Sequence, residues 1–196
     1  MTTCETFPMS MGMLNDHEGP WTEADWLALG ETHHRIELID GSLWVSPAPN
    51  VPHQAISTQL LFRLRDPARN AGLRALPTTN VRLKTGRIVI PDIVVDRGPR
   101  VVTIGEAEDV VLVCEITSPS NAATDRQQKK LFYSSAEIPW YLLVEPDFAD
   151  YESVTLQLFR LDGDAYVEHA TAKRGETLIS DLPFPISIST EELLDF

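Results

Sequence analysis

Cysteine and long apolar runs are both scarce in this sequence, and each shortage excludes a class of protein. The two cysteines, Cys4 and Cys114, cannot build a disulfide framework in a chain of 196 residues, so we expect a reducing, cytoplasmic setting. No apolar run exceeds five residues, as at 110–114, whereas a membrane-spanning helix needs about 18 or more. No basic, apolar and small-residue leader opens the chain, so we predict neither a secretory signal nor membrane insertion.

Basic residues are also few, because Lys and Arg total 16 against 29 Asp and Glu, a net charge of −13. So acidic a chain is a poor general binder of nucleic acid, since phosphate contacts need cations. The segment 63–100 is the exception, with nine basic and three acidic residues and a net charge of +6. It is either a local polyanion site or an ordinary solvated face. Its basic residues are Arg63, Arg65, Arg69, Arg74, Arg82, Lys84, Arg87, Arg97 and Arg100.

The chain is long enough for one domain with a core of its own. Residues 1–20 lack a long apolar run and are predicted to be a flexible tail, so the domain is expected to span 21–196. Thr22 and Asp25 predict a capped helix that ends at Gly30. Asp40-Gly41 between two alternating runs predicts a β-hairpin.

Later elements alternate in type and predict a mixed α/β fold, with one mixed sheet flanked by helices and added hairpins. Helical spacing predicts a long helix over about 52–71, which Pro67 should end or kink. The nearly continuous apolar run at 110–116 predicts a central strand that is covered on both faces. Further elements are predicted as strands at 81–84, 87–90, 92–95 and 140–144, a hairpin over 154–169, and helices at about 122–136 and 191–196.

Three acidic residues lie where a carboxylate needs a partner. Glu115 lies in the most apolar strand, and burying it unpaired would cost several kcal/mol. Asp92 follows Pro91 at the start of a strand, and Glu37 lies on the polar side of the first hairpin. If Asp92 and Glu115 meet at one end of a sheet, they form a hard oxygen site suited to Mg²⁺ or Mn²⁺. The alternative for Glu115 is a salt bridge to a buried arginine.

A lysine follows these acids on a predicted helix. Asp125, Lys129 and Tyr133 are spaced i, i+4 and i+8, so they share one helical face. Beside two carboxylates and a metal, Lys129 can position a water or stabilise charge on a phosphate. The alternative is an ordinary Asp125–Lys129 helix pair, worth about 0.3–0.5 kcal/mol. Tyr133 is expected to pack between the helix and the sheet.

Several sequence strings around these residues occur in a characteristic order and spacing. They are RIELIDG at 35–41, SPAP at 46–49, PHQ at 52–54, PDIVV at 91–95, CEITSPS at 114–120 with Asp125, Lys129, Lys130 and Tyr133 after it, and IPWYLLVEP at 138–146. Together they resemble the Uma-type restriction endonuclease family over about residues 22–195. That family looks like a branch of the PD-(D/E)xK nuclease superfamily.

The resemblance implies a divalent metal held by an Asp and a Glu, which match Asp92 and Glu115. The superfamily lysine lies two residues after the second acid, where this chain has Thr117. The resemblance implies that Lys129 takes its place and that Glu37 is an upstream acid supporting the metal. His53 also matches a family position, and a capping or core histidine is the alternative.

The sequence therefore predicts a Mg²⁺- or Mn²⁺-dependent endonuclease that hydrolyses DNA. Asp92 and Glu115 would hold the metal, with Lys129 and Glu37 as the other catalytic residues. By analogy, cutting both strands implies a two-fold homodimer, and the sequence predicts no particular protein partner. Two alternatives stay open. One is a non-catalytic interaction or regulatory module that keeps the nuclease fold, which the acidity and Thr117 favour, and the other is a hydrolase for a small phosphorylated or acidic substrate.

Overall fold

The computed structural model describes residues 17–30, 32, 34–118 and 124–195. Most of the predicted N-terminal tail, residues 1–16, lies outside the described residues, as does the loop at 119–123. Three α-helices, thirteen β-strands and two 3₁₀ helices occur in the described ranges. No helix in these ranges is both long and apolar enough to cross a membrane.

The helices are α1 (Glu23–Ala28), α2 (Val51–Asn70) and α3 (Thr124–Ser135), and the 3₁₀ helices are Ala107–Asp109 and Glu191–Leu194. The strands are β1 (Arg35–Ile39), β2 (Ser42–Ser46), β3 (Arg74–Pro77), β4 (Val81–Lys84), β5 (Arg87–Val89), β6 (Ile93–Asp96), β7 (Gly105–Glu106), β8 (Val110–Ile116), β9 (Trp140–Pro146), β10 (Val154–Asp162), β11 (Ala165–Ala172), β12 (Thr177–Ser180) and β13 (Ile186–Ser189).

Six strands form the main sheet, in the order β11-β10-β9-β8-β6-β3. Strand β8 lies inside this sheet, parallel to β9 and antiparallel to β6. Its predicted burial on both faces is confirmed, because Leu112 and Cys114 pack into a core with α2 while Val113 packs into a second core with α3. Two covering layers explain why the run at 110–116 is apolar at nearly every position.

A second sheet, in the order β2-β1-β5-β4-β7, covers the α3 side of the main sheet. Apolar residues of β1, β4 and β5 share one core with β8, β9 and Tyr133 of α3. The small sheet β12-β13 closes the opposite core, against α2. The mixed α/β class is confirmed. The strands, however, form two large sheets where one was expected. Strand β1 packs Ile36 and Leu38 against Trp26 of α1 and turns its other face, with Ile39, toward the main sheet.

Two local signals act as the sequence predicts. Thr22 and Asp25 form a capping box, in which Asp25 N–H donates to Thr22 Oγ1 at 3.2 Å and Thr22 N–H donates to Asp25 Oδ2 at 2.9 Å. The β1–β2 turn places Asp40 at φ 48° and Gly41 at φ 88°, the positive values that a tight two-residue hairpin turn needs. The capped helix and the first hairpin are therefore confirmed.

Helix α2 begins at the end of the main sheet where the acids lie. Asn50 caps it by accepting the backbone N–H of His53 at 3.0 Å. Pro67 does not end α2, which runs on to Asn70 and closes with the N–H of Ala71 donating to the carbonyl of Pro67 at 3.2 Å. The buried Ala68 holds this last turn against the core, which outweighs the hydrogen bond that a helical proline removes.

Candidate active site

The predicted acids meet where β1, the start of β6 and the end of β8 come together. In the antiparallel β6–β8 pair, Ile93 stands opposite Cys114. The next position outward therefore sets Asp92 opposite Glu115, and opposite residues of an antiparallel pair point to the same face. Glu37 extends from β1 toward the same position. Both Glu37 and Glu115 contact Lys129.

All four predicted site side chains are buried. The exposed fraction is 2% for Glu37, 3% for Asp92, 9% for Glu115 and 9% for Lys129. Charged side chains are seldom buried this deeply unless they are paired. The partners of each charge therefore decide what the site can do.

Both carboxylate oxygens of Asp92 have donors. Oδ1 accepts a hydrogen bond from Nη1 of Arg35 at 2.7 Å, and Oδ2 accepts the backbone N–H of Ile116 at 2.8 Å. Nε2 of His53 lies 3.4 Å from Oδ2. Burial acts to raise the pKa of Asp92, but the His53 hydrogen bond and the Arg35 charge outweigh it and hold that pKa well below its usual range. Asp92 is therefore charged at neutral pH.

Lys129 of α3 lies between two of the acids. Its Nζ is 3.3 Å from Oε1 of Glu37 and 3.3 Å from Oε1 of Glu115. Oε1 of Glu37 also accepts the backbone N–H of Ile90 at 2.7 Å. The cation that contacts Glu115 is thus a lysine, not the arginine considered as its alternative partner. The side chain of Asp125, the other proposed partner of Lys129, lies outside the described part of the structure.

Glu115 is the least compensated acid of the group. Tyr133, one helical turn after Lys129, donates its hydroxyl to Oε1 of Glu115. Burial raises the pKa of Glu115 to about 7, since the lowering effect of Lys129 is opposed by the negative charge of Asp92. A further cation near Asp92 and Glu115 would favour the ionised form of Glu115.

Four buried polar atoms at this place have no hydrogen-bond partner among the described residues. They are Nε and Nη2 of Arg35, Nδ1 of His53 and Oγ1 of Thr117. Most buried polar atoms in proteins do have a partner. Their concentration beside three carboxylates is typical of a site that binds polar ligands.

A divalent metal fits this donor set at two of the acids. Asp92 and Glu115 supply carboxylate oxygens, which Mg²⁺ prefers. No group of three or more His, Cys, Asp or Glu in the described ranges is arranged to hold a metal. Arg35 already contacts Oδ1 of Asp92, so a metal at Asp92 has to share or take that position.

Residues 23–194 match the Uma2 family, which is described as "Putative restriction endonuclease". The chain belongs to the Uma2 family. A crystal structure of a "putative nuclease belonging to DUF820" from Anabaena variabilis ATCC 29413 is similar, with a TM-score of 0.69 and 21% sequence identity over 89% of this chain and 98% of that chain. This likeness supports the fold alone, and no curated protein matches the sequence.

The sequence of this Uma2 chain did not predict two residues that contact the acids, Arg35 and Tyr133. Arg35 lies in the string RIELIDG and is not among the predicted site residues, although it alternates with Glu37 on β1 and therefore shares its face. Tyr133 was expected only to pack, whereas its hydroxyl contacts Glu115. Spacing is the signal that could have identified both residues. Arg35 is two positions before Glu37 on a strand, and Tyr133 is four positions after Lys129 on a helix, so each shares a face with a predicted site residue.

The basic segment 63–100 does not form one positive surface beside the acids. Six of its nine cations are paired with carboxylates, as in the Arg74–Asp96 pair at 2.8 Å. The six are Arg63, Arg69, Arg74, Arg82, Lys84 and Arg87. Among the described residues, Arg65, Arg97 and Arg100 have no carboxylate partner within 4.0 Å.

Two of these three arginines, Arg65 and Arg97, lie far along the chain from the acids. Arg65 is twelve residues after His53 on α2, a distance of about 18 Å along a helix. Arg97 follows the end of β6, five residues after Asp92, or about 16 Å along a strand. The expectation that this segment contacts phosphates next to the acids is therefore not supported by the structure.

Proposed function

We propose that this Uma2 protein is a Mg²⁺- or Mn²⁺-dependent endonuclease that hydrolyses phosphodiester bonds in DNA. The observation that carries the proposal is one buried group of charges: Asp92 beside Glu115, with Nζ of Lys129 3.3 Å from Glu115 and 3.3 Å from Glu37. Membership of a family described as restriction endonucleases supports the same reaction class.

Asp92 and Glu115 are the proposed metal-holding residues. A bound Mg²⁺ would supply Lewis-acid polarisation of a phosphoryl oxygen and a more acidic water. The backbone N–H of Ile116 and the His53 ring fix the carboxylate of Asp92. The hydroxyl of Tyr133 fixes that of Glu115. These contacts hold both acids in one orientation before any ligand arrives, which reduces reorganisation during the reaction.

Lys129 is the proposed source of positive charge for the transition state. Its ammonium takes the part that the superfamily gives to a lysine at the Thr117 position. A buried cation stabilises negative charge that develops on a phosphate more strongly than an exposed cation does. Glu37 anchors this ammonium from β1 and is itself fixed by the N–H of Ile90, so it is an organising residue in the proposal.

One site per chain cuts one strand at a time, so double-strand cleavage would need a two-fold homodimer. The proposed setting is the cytoplasm, where DNA and Mg²⁺ are both available. Incubation of the purified protein with supercoiled, linear and single-stranded DNA, with Mg²⁺, Mn²⁺ or EDTA, tests the function. We expect metal-dependent conversion of supercoiled plasmid to nicked or linear forms. Cleavage that persists in EDTA would contradict the proposal.

A second candidate function is a non-catalytic interaction or regulatory module with the same fold. The pairing of six of the nine cations in segment 63–100 favours it, because few are left for DNA. Such a module would show no metal-dependent cleavage of any of the three DNA forms.

A further inference from the structure

Arg35 occupies the side of Asp92 where a metal would have to bind. Its Nη1 lies 2.7 Å from Oδ1, while Oδ2 is taken by the N–H of Ile116 and by His53. The side chains are 19% and 4% exposed, so solvent screens this ion pair little. Asp92 therefore already has a counter-cation supplied by the protein.

The positive charge of Arg35 is fixed. An arginine guanidinium stays protonated at every pH at which proteins are folded. A divalent ion bound to Asp92 would lie within a few ångströms of this guanidinium, and two cations that close repel strongly in a buried site. The ion and the guanidinium therefore compete for one carboxylate.

Arg35 also makes fewer hydrogen bonds than Arg74, a partly buried arginine on β3 of the main sheet. Only Nη1 has a partner among the described residues, and Nε and Nη2 have none. Arg74, by contrast, makes a two-point contact with Asp96 and donates to the carbonyls of Gly98 and Pro99. Moving Arg35 away from its carboxylate breaks one hydrogen bond, whereas moving Arg74 breaks several.

We propose that Arg35 is the resident counter-cation of Asp92 and that a divalent metal binds this acid only by displacing the guanidinium. The inference rests on the proposed metal-dependent function and adds to it a residue that sets metal affinity. Arg35 lowers the affinity for metal and keeps Asp92 paired while none is bound. The protein then binds Mg²⁺ or Mn²⁺ more weakly than its pair of acids alone would allow.

Calorimetric titration of the full chain with Mn²⁺ alone, without DNA, tests this competition. Arg35→Met keeps the approximate length of the side chain and removes its charge, and Arg74→Met is the matched control at the partly buried Arg74–Asp96 pair. We expect Arg35→Met to bind Mn²⁺ about tenfold more tightly than the parent, or better, and Arg74→Met to bind like the parent. Saturating Mn²⁺ should also raise the melting temperature more in Arg35→Met than in the parent.

If Arg35→Met does not fold, Arg35→Lys is a second variant that tests whether residue 35 competes with Mn²⁺ for Asp92. A lysine is shorter and contacts Asp92 less closely, so Mn²⁺ should bind the folded Arg35→Lys more tightly than the parent. A crystal structure of the parent with Mn²⁺ should show Nη1 of Arg35 beyond hydrogen-bond distance from Asp92. An ion bound to Asp92 with Arg35 still in contact would overturn the inference.

Equal or weaker Mn²⁺ binding by a folded Arg35→Met variant would overturn it too. If the parent still cleaves DNA with metal in that case, the proposed function stands and only the role of Arg35 fails. If neither the parent nor any folded variant binds Mn²⁺ and none cleaves DNA, both proposals fail.

Discussion

Nζ of Lys129 lies 3.3 Å from Oε1 of Glu115, although the two residues come from a helix and from the buried strand β8. The contact places a buried positive charge beside the second acid of the site. Thr117, which directly follows β8, carries no charge. The packing of α3 against the main sheet is what brings Lys129 to this position.

Lys129→Met should lower the rate of DNA cleavage about 100-fold or more, which is the scale for removing one group that stabilises transition-state charge. Affinity for DNA should change much less, because the interaction acts on the transition state and not on the bound ground state. Single-turnover cleavage and fluorescence anisotropy measure the two quantities.

Lys130→Met is the control for this experiment, since Nζ of Lys130 lies 3.4 Å from the centre of the Phe159 ring and no described contact joins it to the acids. Lys130→Met should cleave like the parent. Equal losses in the Lys129 and Lys130 variants would remove Lys129 from the mechanism. Because breaking a buried ion pair destabilises by about 3–5 kcal/mol, melting temperatures must show that both variants are folded at the assay temperature.

Tyr133→Phe should destabilise the protein by about 1 kcal/mol, the net contribution of a typical hydrogen bond, and should weaken metal binding. The hydroxyl of Tyr133 helps to lower the pKa of Glu115, so its loss should move the pH dependence of cleavage toward higher pH. Tyr166→Phe is the matched control, because the Tyr166 hydroxyl donates to the carbonyl of Ile138 at 2.7 Å. A Tyr133→Phe profile identical to that of Tyr166→Phe would contradict the assigned role.

The raised pKa of Glu115 predicts how stability depends on pH. Its pKa is about 7 in the folded protein against an ordinary value of 4.5, so the folded state binds more protons between these values. The free energy of unfolding should therefore fall as pH rises from about 4.5 to 7. Asp92 acts oppositely, since its pKa is lowered, but its contribution is lost only as pH falls below its usual range.

Glu115→Gln should remove most of the decrease in stability between pH 5 and 7, as measured by urea unfolding. Glu108→Gln, at an exposed glutamate, should leave the decrease in place. A Glu115→Gln curve parallel to that of the parent over this range would show that another group causes the pH dependence.

Binding of the protein to DNA should depend only modestly on salt. Three arginines of segment 63–100, Arg65, Arg97 and Arg100, are free of carboxylate partners among the described residues. Each phosphate contact contributes about 0.9 to the slope of log affinity against log salt concentration, so these three predict a slope near −3 or shallower. Anisotropy titrations of a duplex in increasing NaCl measure the slope. A slope of about −8 would mean that the paired cations also contact phosphates.

Local patterns predicted much of the fold. The capping box at Thr22, the Asp40-Gly41 hairpin and the apolar run at 110–116 each depend on a few neighbouring residues, and each is confirmed. Strands β3, β7, β12 and β13 were not predicted. Strands β3 and β7 pair with β6 and β4, which are not their neighbours in sequence, and β12 and β13 form a two-stranded sheet of their own. The separation into two sheets likewise depends on packing between distant elements.

The candidate site was only partly accessible to sequence reasoning. The acids Asp92 and Glu115 and the lysine of α3 stand out by their residue type in an apolar context. The partners of these residues cannot be identified in the same way. The contact between Arg35 and Asp92, for example, joins residues 57 positions apart in the sequence. The positive charge of segment 63–100 led to the expectation of a phosphate-binding surface for the same reason. The acids that pair with most of its cations cannot be assigned from the sequence alone.

Nicking of supercoiled plasmid in Mg²⁺ by the parent, Asp92→Asn and Asp96→Asn tests the central claim most directly. Asp92 and Asp96 are both buried and both paired with an arginine, but only Asp92 is a proposed metal-holding residue. The account predicts that the parent and a folded Asp96→Asn nick the plasmid at similar rates, while Asp92→Asn shows no nicking above the EDTA control. Nicking by Asp92→Asn at the parent's rate would contradict it.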